Sequence, residues 1–300
     1  MAYTTIDDPT AYFQTKTYTG NGSARAITFD GNSDLQPDWV WIKERSSTSS
    51  HFLNDSVRGA GENIYSDSTS AEGTNTALFT SFNSDGFTVG NTNQGNQNNE
   101  TYVAWQWKAG TSFSNDASST SVGSVDSAGS VNTTAGFSII NVVKANTTAH
   151  TVAHGLGAVP QMIIGKSRTG SSYRWIVYHQ AIGNTHALYL NENFVKTDSV
   201  TFWNDTTPTS SVFSLGTDNS WNGTSIFYCF AEKKGYSKMG TFTSQTNVND
   251  NVIYTGFKPA FLLVKSVTNT NDWVMFDSGR NLSNPRNAKL YPNLNNDEDT

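Results

Sequence analysis

The sequence predicts an all-β protein that consists of tandem β-sandwich modules of a jelly-roll-like or lectin-like type. Three segments share one pattern, in which a proline begins a short apolar run and a lysine follows six residues after the proline: residues 37–43, 160–166 and 259–265. Because the offset is constant while the residues between change, one structural unit has been reused. Strand-forming and turn-forming residues dominate and 12% of the chain is aromatic, which favours β structure with sizeable cores.

The first repeated segment is predicted to be a buried strand of module 1. It carries Trp39 and Trp41 on one strand face and Val40 and Ile42 on the other. A strand that is apolar on both faces lies inside a fold. Residues 102–107 form a second strand of this kind and are expected to close the module.

The other divisions of the chain follow from composition and from the repeated order of elements. A stretch rich in Ser, Thr and Gly is predicted to be mostly a linker, with one weak edge strand near residues 125–131. The expected organisation is an N-terminal attachment segment, module 1, the linker, module 2 and a partial module 3, at residues 1–16, 17–109, 110–135, 136–238 and 239–300.

The position of the closing strand indicates that modules 1 and 2 are true copies and that module 3 is incomplete. This strand begins 65 residues after the repeated proline in module 1, at Tyr102, and 66 residues after it in module 2, at Ile226. The same offset in module 3 falls beyond Thr300. A module without this strand exposes an apolar cleft and an unpaired edge. We therefore expect the natural chain to continue past Thr300 or a neighbouring chain to supply the strand, and we favour continuation.

Charge and cysteine content narrow the class of protein. The net charge of −6 argues against a nucleic-acid partner. The only cysteine, Cys229, cannot form an intramolecular disulfide, and its apolar neighbours predict a buried small hydrophobe. The N-terminus lacks the basic and apolar regions of a signal peptide, and no apolar run is long enough for insertion into a membrane.

The sequence shows no catalytic or metal-binding motif, so we predict no enzyme activity and no cofactor. His150 and His154 are four residues apart, which suits a metal site on a helix, but this segment is β-rich and lacks nearby Cys or carboxylate partners. The repeated lysines Lys43, Lys166 and Lys265 could contact anions or glycans. The favoured interpretation is a charge at the strand end that snorkels to solvent and discourages edge-to-edge aggregation.

The tryptophans present a choice between core packing and ligand binding. Those in the two-faced strands are predicted to lie in the core. Trp203 and Trp221 instead lie in polar loops rich in Asn. An aromatic ring in such a loop can stack on a sugar, as in lectins, or plug the end of a sandwich. Both interpretations stay open, and these two residues are the candidate glycan-binding site.

Several stretches together resemble a known family. The chain is similar to a repeated β domain of virion structural proteins, tail-fibre-like, of marine tailed bacteriophages. The resemblance covers nearly the whole chain and rests on residues 1–9, 18–22, 102–108, 208–213, 235–238 and 254–260. It implies a location in the virion and a β-rich repeat, and it supplies no catalytic motif.

The predicted function is therefore that of a non-enzymatic bacteriophage virion structural protein, a tail fibre or appendage protein that contributes to host attachment. The alternatives are a capsid decoration protein, a glycan-binding lectin-like module and a polysaccharide-cleaving enzyme, whose carboxylate pair cannot be recognised from sequence. The chain should reach the virion by assembly in the host cytoplasm.

Other virion proteins are the expected partners, with a host surface glycan as a further one. A homo-oligomer is expected, and a trimer is favoured because fibres are commonly trimeric. If the N-terminal end anchors the chain, then Tyr3, Tyr12 and Phe13 in the attachment segment should contact another virion protein.

Overall fold

The computed structural model describes residues 3–170, 172–246 and 251–300. The chain is almost entirely β, with 37% of its residues in strands and 7% in helices, and the sheets are antiparallel. The predicted all-β, sandwich-type fold is therefore confirmed.

Module 1 is a sandwich of two sheets that begins earlier than predicted, at Phe13. Its strands are β1 (Phe13–Thr19), β2 (Arg25–Ile27), β3 (Trp39–Glu44), β4 (Phe52–Asp55), β5 (Glu62–Tyr65), β6 (Gly73–Thr74), β7 (Phe79–Asn83), β8 (Gly86–Val89) and β9 (Thr101–Trp107). A 3₁₀ helix (Pro9–Ala11) precedes β1, and a short helix, α1 (Asn93–Asn96), precedes β9. The larger sheet has the order β1-β9-β3-β4-β5-β6, and the smaller has the order β2-β8-β7.

Module 2 repeats this design with a larger main sheet. Its strands are β10 (Thr111–Asn115), β11 (Ser127–Asn132), β12 (Phe137–Lys144), β13 (His150–Ala153), β14 (Met162–Ser167), β15 (Ile176–His179), β16 (His186–Tyr189), β17 (Thr197–Asp198), β18 (Val212–Leu215) and β19 (Gly223–Phe230). The helices are α2 (Ala117–Thr120), α3 (Val200–Trp203) and 3₁₀ turns at Gln180–Ile182 and Asn219–Trp221. The main sheet has the order β10-β11-β12-β19-β14-β15-β16-β17, and β13 pairs with β18 in a second sheet.

Two strands within residues 110–135 belong to this sheet, so the stretch predicted to be mostly a linker is part of module 2. Strand β10 pairs with β11, and β11 pairs with β12, which extends the main sheet of module 2 by two strands. The weak edge strand expected near residues 125–131 corresponds to β11. Strand β10 escaped detection because Phe113 is its only large apolar residue.

Module 3 contributes a two-stranded sheet of β20 (Phe261–Val264) and β21 (Val274–Asp277). A bridge between Met275 and Leu290 adds the next segment beside β21. By order and by spacing from the repeated proline, β20 corresponds to β3 and β14, and β21 corresponds to β4 and β15.

Strand order and register show that modules 1 and 2 are copies of one unit. The order β1-β9-β3-β4-β5 in module 1 matches the order β12-β19-β14-β15-β16 in module 2. The register also agrees, since Trp41 pairs with Trp105 and the corresponding Ile164 pairs with Tyr228. The closing strands β9 and β19 each lie between two partners, as their two-faced apolar character predicts.

The modules do not lie in series with separate cores, which corrects the expectation that each copy buries its own sheet faces. One face of each main sheet packs against the other modules in a shared core. Trp39 of module 1 stacks on Tyr228 of module 2 with ring centroids 4.2 Å apart, and Trp107 meets Phe261 of module 3 at 5.5 Å. The opposite faces of modules 1 and 2 pack on their own smaller sheets and form two further cores.

Candidate functional site: the junctions between modules

The three modules meet at junctions built from equivalent residues. In each, a backbone N–H of one module donates to the carbonyl of the residue two places after the repeated lysine in another. The bonds are Glu72 N to Arg168 O at 3.0 Å (junction 1–2), Glu298 N to Arg45 O at 2.8 Å (junction 3–1) and Lys196 N to Val267 O at 3.3 Å (junction 2–3). These junctions close the modules into a ring with approximate threefold symmetry.

Junction 1–2 contains a buried ionic cluster of Asp55, Arg58 and Glu72. β4 ends at Asp55, whose Oδ1 accepts the backbone N–H of Arg58 at 2.9 Å and so turns the chain back on itself. The Arg58 guanidinium pairs with Asp55 through Nε and with Glu72 through Nη1 at 2.9 Å. Tyr228 of module 2 donates its hydroxyl to Asp55 Oδ2 at 2.7 Å. Buried charges such as these are tolerated because every one has a partner.

Junction 3–1 contains the same arrangement in Asp277, Arg280 and Glu298. Asp277 Oδ1 accepts the backbone N–H of Arg280 at 2.8 Å, and its Oδ2 pairs with Arg280 Nε at 2.6 Å. Arg280 Nη1 reaches Glu298 at 2.8 Å. Trp105 of module 1 takes the place of Tyr228 and donates its indole N–H to Asp277 Oδ2 at 3.0 Å.

A second arginine from the neighbouring module completes each of these clusters. Arg168 binds Glu72 with Nη2 to Oε1 at 2.7 Å, and Arg45 binds Glu298 in the same way at 2.7 Å. Burial acts to raise the pKa of Glu298, but hydrogen bonds from Arg45 and Arg280 outweigh it and lower the pKa. Each glutamate lies between two arginines of different modules, and Glu298 is held there as an anion.

Junction 2–3 lacks the ionic cluster. The position of Asp55 and Asp277 is occupied by His179, that of the cluster arginine by Ile182, and that of the glutamate by Lys196. His179 keeps one part of the aspartate's role, since its Nδ1 accepts the backbone N–H of Ala181 at 3.2 Å. Burial lowers the pKa of His179, which favours the neutral imidazole.

The repeated lysines lie at the junctions, and the prediction that they snorkel to solvent is wrong for two of them. Lys43 and Lys166 are completely buried, and burial lowers the pKa of each to about 8. Lys166 Nζ donates to Ser167 O at 2.9 Å and to Thr69 O of module 1 at 3.4 Å. Lys265 is partly buried and repeats this contact, since its Nζ donates to Asn193 O of module 2 at 3.2 Å.

At two of the junctions, a tryptophan in the segment after the repeated lysine donates a hydrogen bond to the neighbouring module. Trp175 of module 2 donates its indole N–H to Tyr65 O of module 1 at 2.8 Å. Trp273 of module 3 donates in the same way to Tyr189 O of module 2 at 2.8 Å. At junction 3–1, His51 occupies the equivalent position and faces the backbone of Tyr291.

The candidate glycan-binding tryptophans are buried, which contradicts their assignment as surface platforms for a sugar. Trp203 is 1% exposed and Trp221 is fully buried. Their rings lie 5.7 Å apart, and Trp221 donates its indole N–H to Phe202 O at 3.0 Å. The polar residues around them in the sequence form the caps of α3 and of the 3₁₀ turn at Asn219–Trp221, while the rings fill the module 2 core.

The three N-terminal residues that were predicted to contact another virion protein differ in how far they are buried. Phe13 begins β1 and packs against Trp107 and Phe261, at 5.0 and 5.9 Å between ring centroids, so it is part of module 1 rather than of a segment before it. Tyr12 lies edge-on to Tyr236 at 6.2 Å. Tyr3 is 52% exposed and lies under the ammonium of Lys234. The predicted contact of Tyr3, Tyr12 and Phe13 with another virion protein stays a prediction.

The remaining titratable residues form no further site within the described ranges. In residues 3–170, 172–246 and 251–300, no group of three or more His, Cys, Asp or Glu side chains could hold a metal ion. The predicted burial of Cys229 is confirmed, and burial raises the pKa of its thiol to about 12. No helix in the described part of the chain has the length and apolar character needed to cross a membrane.

The junctions were missed at the sequence level, although a signal for two of them exists. Asp-Ser-x-Arg occurs after the strand that follows each lysine loop in modules 1 and 3, at residues 55–58 and 277–280. A second repeated signal is the tyrosine followed two residues later by Asp or Asn, at residues 65–67, 189–191 and 291–293. Both signals recur at constant places in the repeat and both lie at junctions.

A domain family of unknown function, DUF7483, matches residues 8–300, and the chain belongs to this family. The match begins before module 1 and runs through all three modules, so the family domain corresponds to the whole ring rather than to one repeat. Neither a curated protein nor a solved structure matches the chain.

Proposed function

We propose that the chain is a non-enzymatic structural protein of a bacteriophage virion, a tail fibre or appendage protein that contributes to host attachment. The observation that supports this proposal best is the closed ring of copied modules. Two sandwich modules and the strands of module 3 share one aromatic core, and two of the junctions between modules are joined by buried ion pairs. Such a body suits a component that keeps its shape on the outside of a particle.

The charged groups at the junctions support a structural role because they are used in contacts between modules. Glu72 and Glu298 each bind one arginine of their own module and one of another. Removing one partner of a buried ion pair typically costs about 3–5 kcal/mol, since it leaves an uncompensated charge. These pairs therefore make the relative position of the modules specific.

Localisation in the particle tests this proposal. Antibodies raised against the chain would be used for immunogold labelling of purified particles, with mass spectrometry of the same particles to establish that the chain is present. We expect gold at the tail or its appendages. Labelling spread over the shell would instead make the chain a capsid decoration protein, and absence of the chain from particles would refute a virion role.

The predicted homotrimer is part of the same proposal. Three modules of one chain already occupy places related by approximate threefold symmetry, which is the arrangement that three subunits of a trimer would take. Light scattering of the purified chain measures the oligomeric state directly. A mass of three chains supports the trimer, and a mass of one chain, 32.7 kDa, refutes it.

A further inference from the structure

An open cleft lies on the surface where module 1 passes into module 2. Its volume of about 400 Å³ is within the range of about 300–1,000 Å³ that small-molecule sites occupy. Module 1 and the segment before it contribute Lys108 and Tyr12 to the lining, and module 2 contributes Thr111, Thr133 and Thr134. All five residues are at least partly exposed, so a ligand can reach them from solvent.

The cleft exists because module 2 has two strands that module 1 lacks. β1 is the edge strand of the main sheet in module 1, whereas the corresponding β12 has β11 and then β10 on its outer side. β10 begins at Thr111, and Thr133 and Thr134 lie between β11 and β12, so the added strands bring three hydroxyl groups to the cleft. Of the five residues of β10 only Asn115 is buried. This strand therefore adds surface rather than core.

Hydrogen bonds hold the lining of the cleft in place. Lys108 N donates to Tyr12 O at 3.0 Å. The backbone N–H of the residue after Lys108 donates to Oδ2 of the buried Asp38 at 2.9 Å. On the module 2 side, Asn132 Oδ1 accepts the backbone N–H of Ala135 at 2.9 Å and fixes the turn between β11 and β12. The cleft is therefore formed before a ligand binds, which lowers the entropic cost of binding.

The polar side chains of the cleft are not used in contacts within the fold. In the part of the chain that the structure describes, no hydrogen bond or ion pair involves the side-chain polar groups of Tyr12, Lys108, Thr111, Thr133 or Thr134. Together they offer one aromatic ring, one positive charge and three aliphatic hydroxyl groups. The structure thus leaves this set of groups available to a ligand.

The chemistry of these groups matches a sugar that carries a carboxylate. An aromatic ring packs on the apolar face of a sugar ring, hydroxyl groups hydrogen-bond with sugar hydroxyls, and an ammonium pairs with a carboxylate. A nucleic acid also has anionic and ring groups, but the net charge of −6 opposes binding of a polyphosphate. An acidic saccharide is therefore the favoured ligand.

We propose that this cleft binds a hexuronic acid residue of a surface polysaccharide. The ring of Tyr12 packs on the sugar, Lys108 Nζ pairs with the carboxylate, and the threonine hydroxyls bond with the sugar hydroxyls. The site deepens the proposed attachment role by naming the class of surface that is bound, and it rests on that role for the source of the sugar. It assigns Tyr12 to this ligand in place of the predicted contact with another virion protein.

Binding of defined oligosaccharides to the purified chain tests the proposal. The probes are trigalacturonate and trimannuronate, and the matched control is the methyl ester of trigalacturonate, whose carboxyl groups carry no charge. Nuclear magnetic resonance of the isotope-labelled chain measures affinity and identifies the amides that shift. We expect saturable binding with shifts at Lys108, Thr111, Thr133 and Thr134. The ester should bind about fivefold more weakly, which is the effect of losing one solvent-exposed ion pair.

Variants of the cleft separate the roles of charge and ring. Lys108→Gln should weaken trigalacturonate by the same factor of about five and leave the affinity for the ester unchanged. Lys196→Gln, at an exposed lysine outside the cleft, is the control and should change neither affinity. Tyr12→Ala should weaken all three probes, while Tyr12→Phe keeps the ring and should retain binding. Circular dichroism establishes that each variant is folded.

Three results would overturn the proposal: no saturable binding of either uronate by the folded chain, shifts confined to residues outside the cleft, or equal affinity for trigalacturonate and its ester. A DNA oligonucleotide that binds in the cleft more tightly than trigalacturonate would assign it to a nucleic acid instead. The outcome is separate from the labelling of particles, because a chain absent from particles can still bind uronate and a virion protein need not.

Discussion

Replacing Lys166 by methionine should change how stability depends on pH. The Lys166 ammonium is completely buried and pairs with carbonyl groups rather than with a carboxylate. Desolvation lowers its pKa from 10.5 to about 8. Methionine has a similar length and no charge, so Lys166→Met removes the titration while it keeps most of the packing.

The size of the effect follows from the shift of the pKa. Between pH 8 and pH 10.5 the folded state binds fewer protons at Lys166 than the unfolded state does. The free energy of unfolding therefore rises with pH in this window, because its slope is set by the protons bound in the unfolded state minus those in the folded state. One pKa unit corresponds to about 1.4 kcal/mol. Deprotonation of Lys166 should therefore raise the free energy of unfolding by about 3 kcal/mol across this window.

Urea denaturation followed by tryptophan fluorescence at a series of pH values measures this difference, with eight tryptophans as the probe. The wild-type free energy of unfolding minus that of Lys166→Met should rise by about 3 kcal/mol from neutral pH to pH 10.5. Tyrosine ionisation at high pH is common to both proteins and cancels in the difference.

Lys265→Met is the control for this experiment, since Lys265 is the equivalent lysine but is only partly buried. It should give a difference of the same sign and smaller size. If the wild-type and Lys166→Met curves run parallel from neutral pH to pH 10.5, then the buried ammonium is not desolvated as the structure requires, and the reasoning is refuted.

Three further predictions concern the shared core and the junctions. The whole chain should unfold in one cooperative urea transition, with fluorescence and circular dichroism coincident, because one core joins the modules; separated transitions would contradict this. Tyr228→Phe should cost about 1.5–3 kcal/mol, since it removes the buried hydroxyl bonded to the Asp55 carboxylate, while Tyr254→Phe at an exposed ring should cost little. Trp221→Ala should cost about 3–5 kcal/mol in the same assay, and an unchanged stability would argue against its position in the core.

The repeat and the class of fold could be predicted because they depend on local patterns. Trp39 to Ile42 are apolar in succession, and a strand with two apolar faces has to lie inside a sheet sandwich. Constant spacing from the repeated proline then identified the closing strands of modules 1 and 2, and the structure places both in equivalent positions.

The burial of the candidate tryptophans and of the ionic clusters could not be predicted from local patterns. Burial depends on segments that are far apart in the chain and pack together only in the folded protein. Trp203 and Trp221 have polar neighbours in sequence, yet their rings point into the module 2 core. Asp55 and Arg58 look like solvated loop residues, and their burial becomes visible only when Tyr228 of another module covers them.

Local residue patterns thus determined that this chain forms β-sandwich modules and where the repeated strands and the closing strands of modules 1 and 2 lie. Only the tertiary structure showed how the modules associate. They pack around the shared core, and charged side chains lie at two of the junctions between them. The physical reason is that alternation along a strand specifies which side chains share a face, whereas the partner of that face is chosen by packing between segments far apart in the chain.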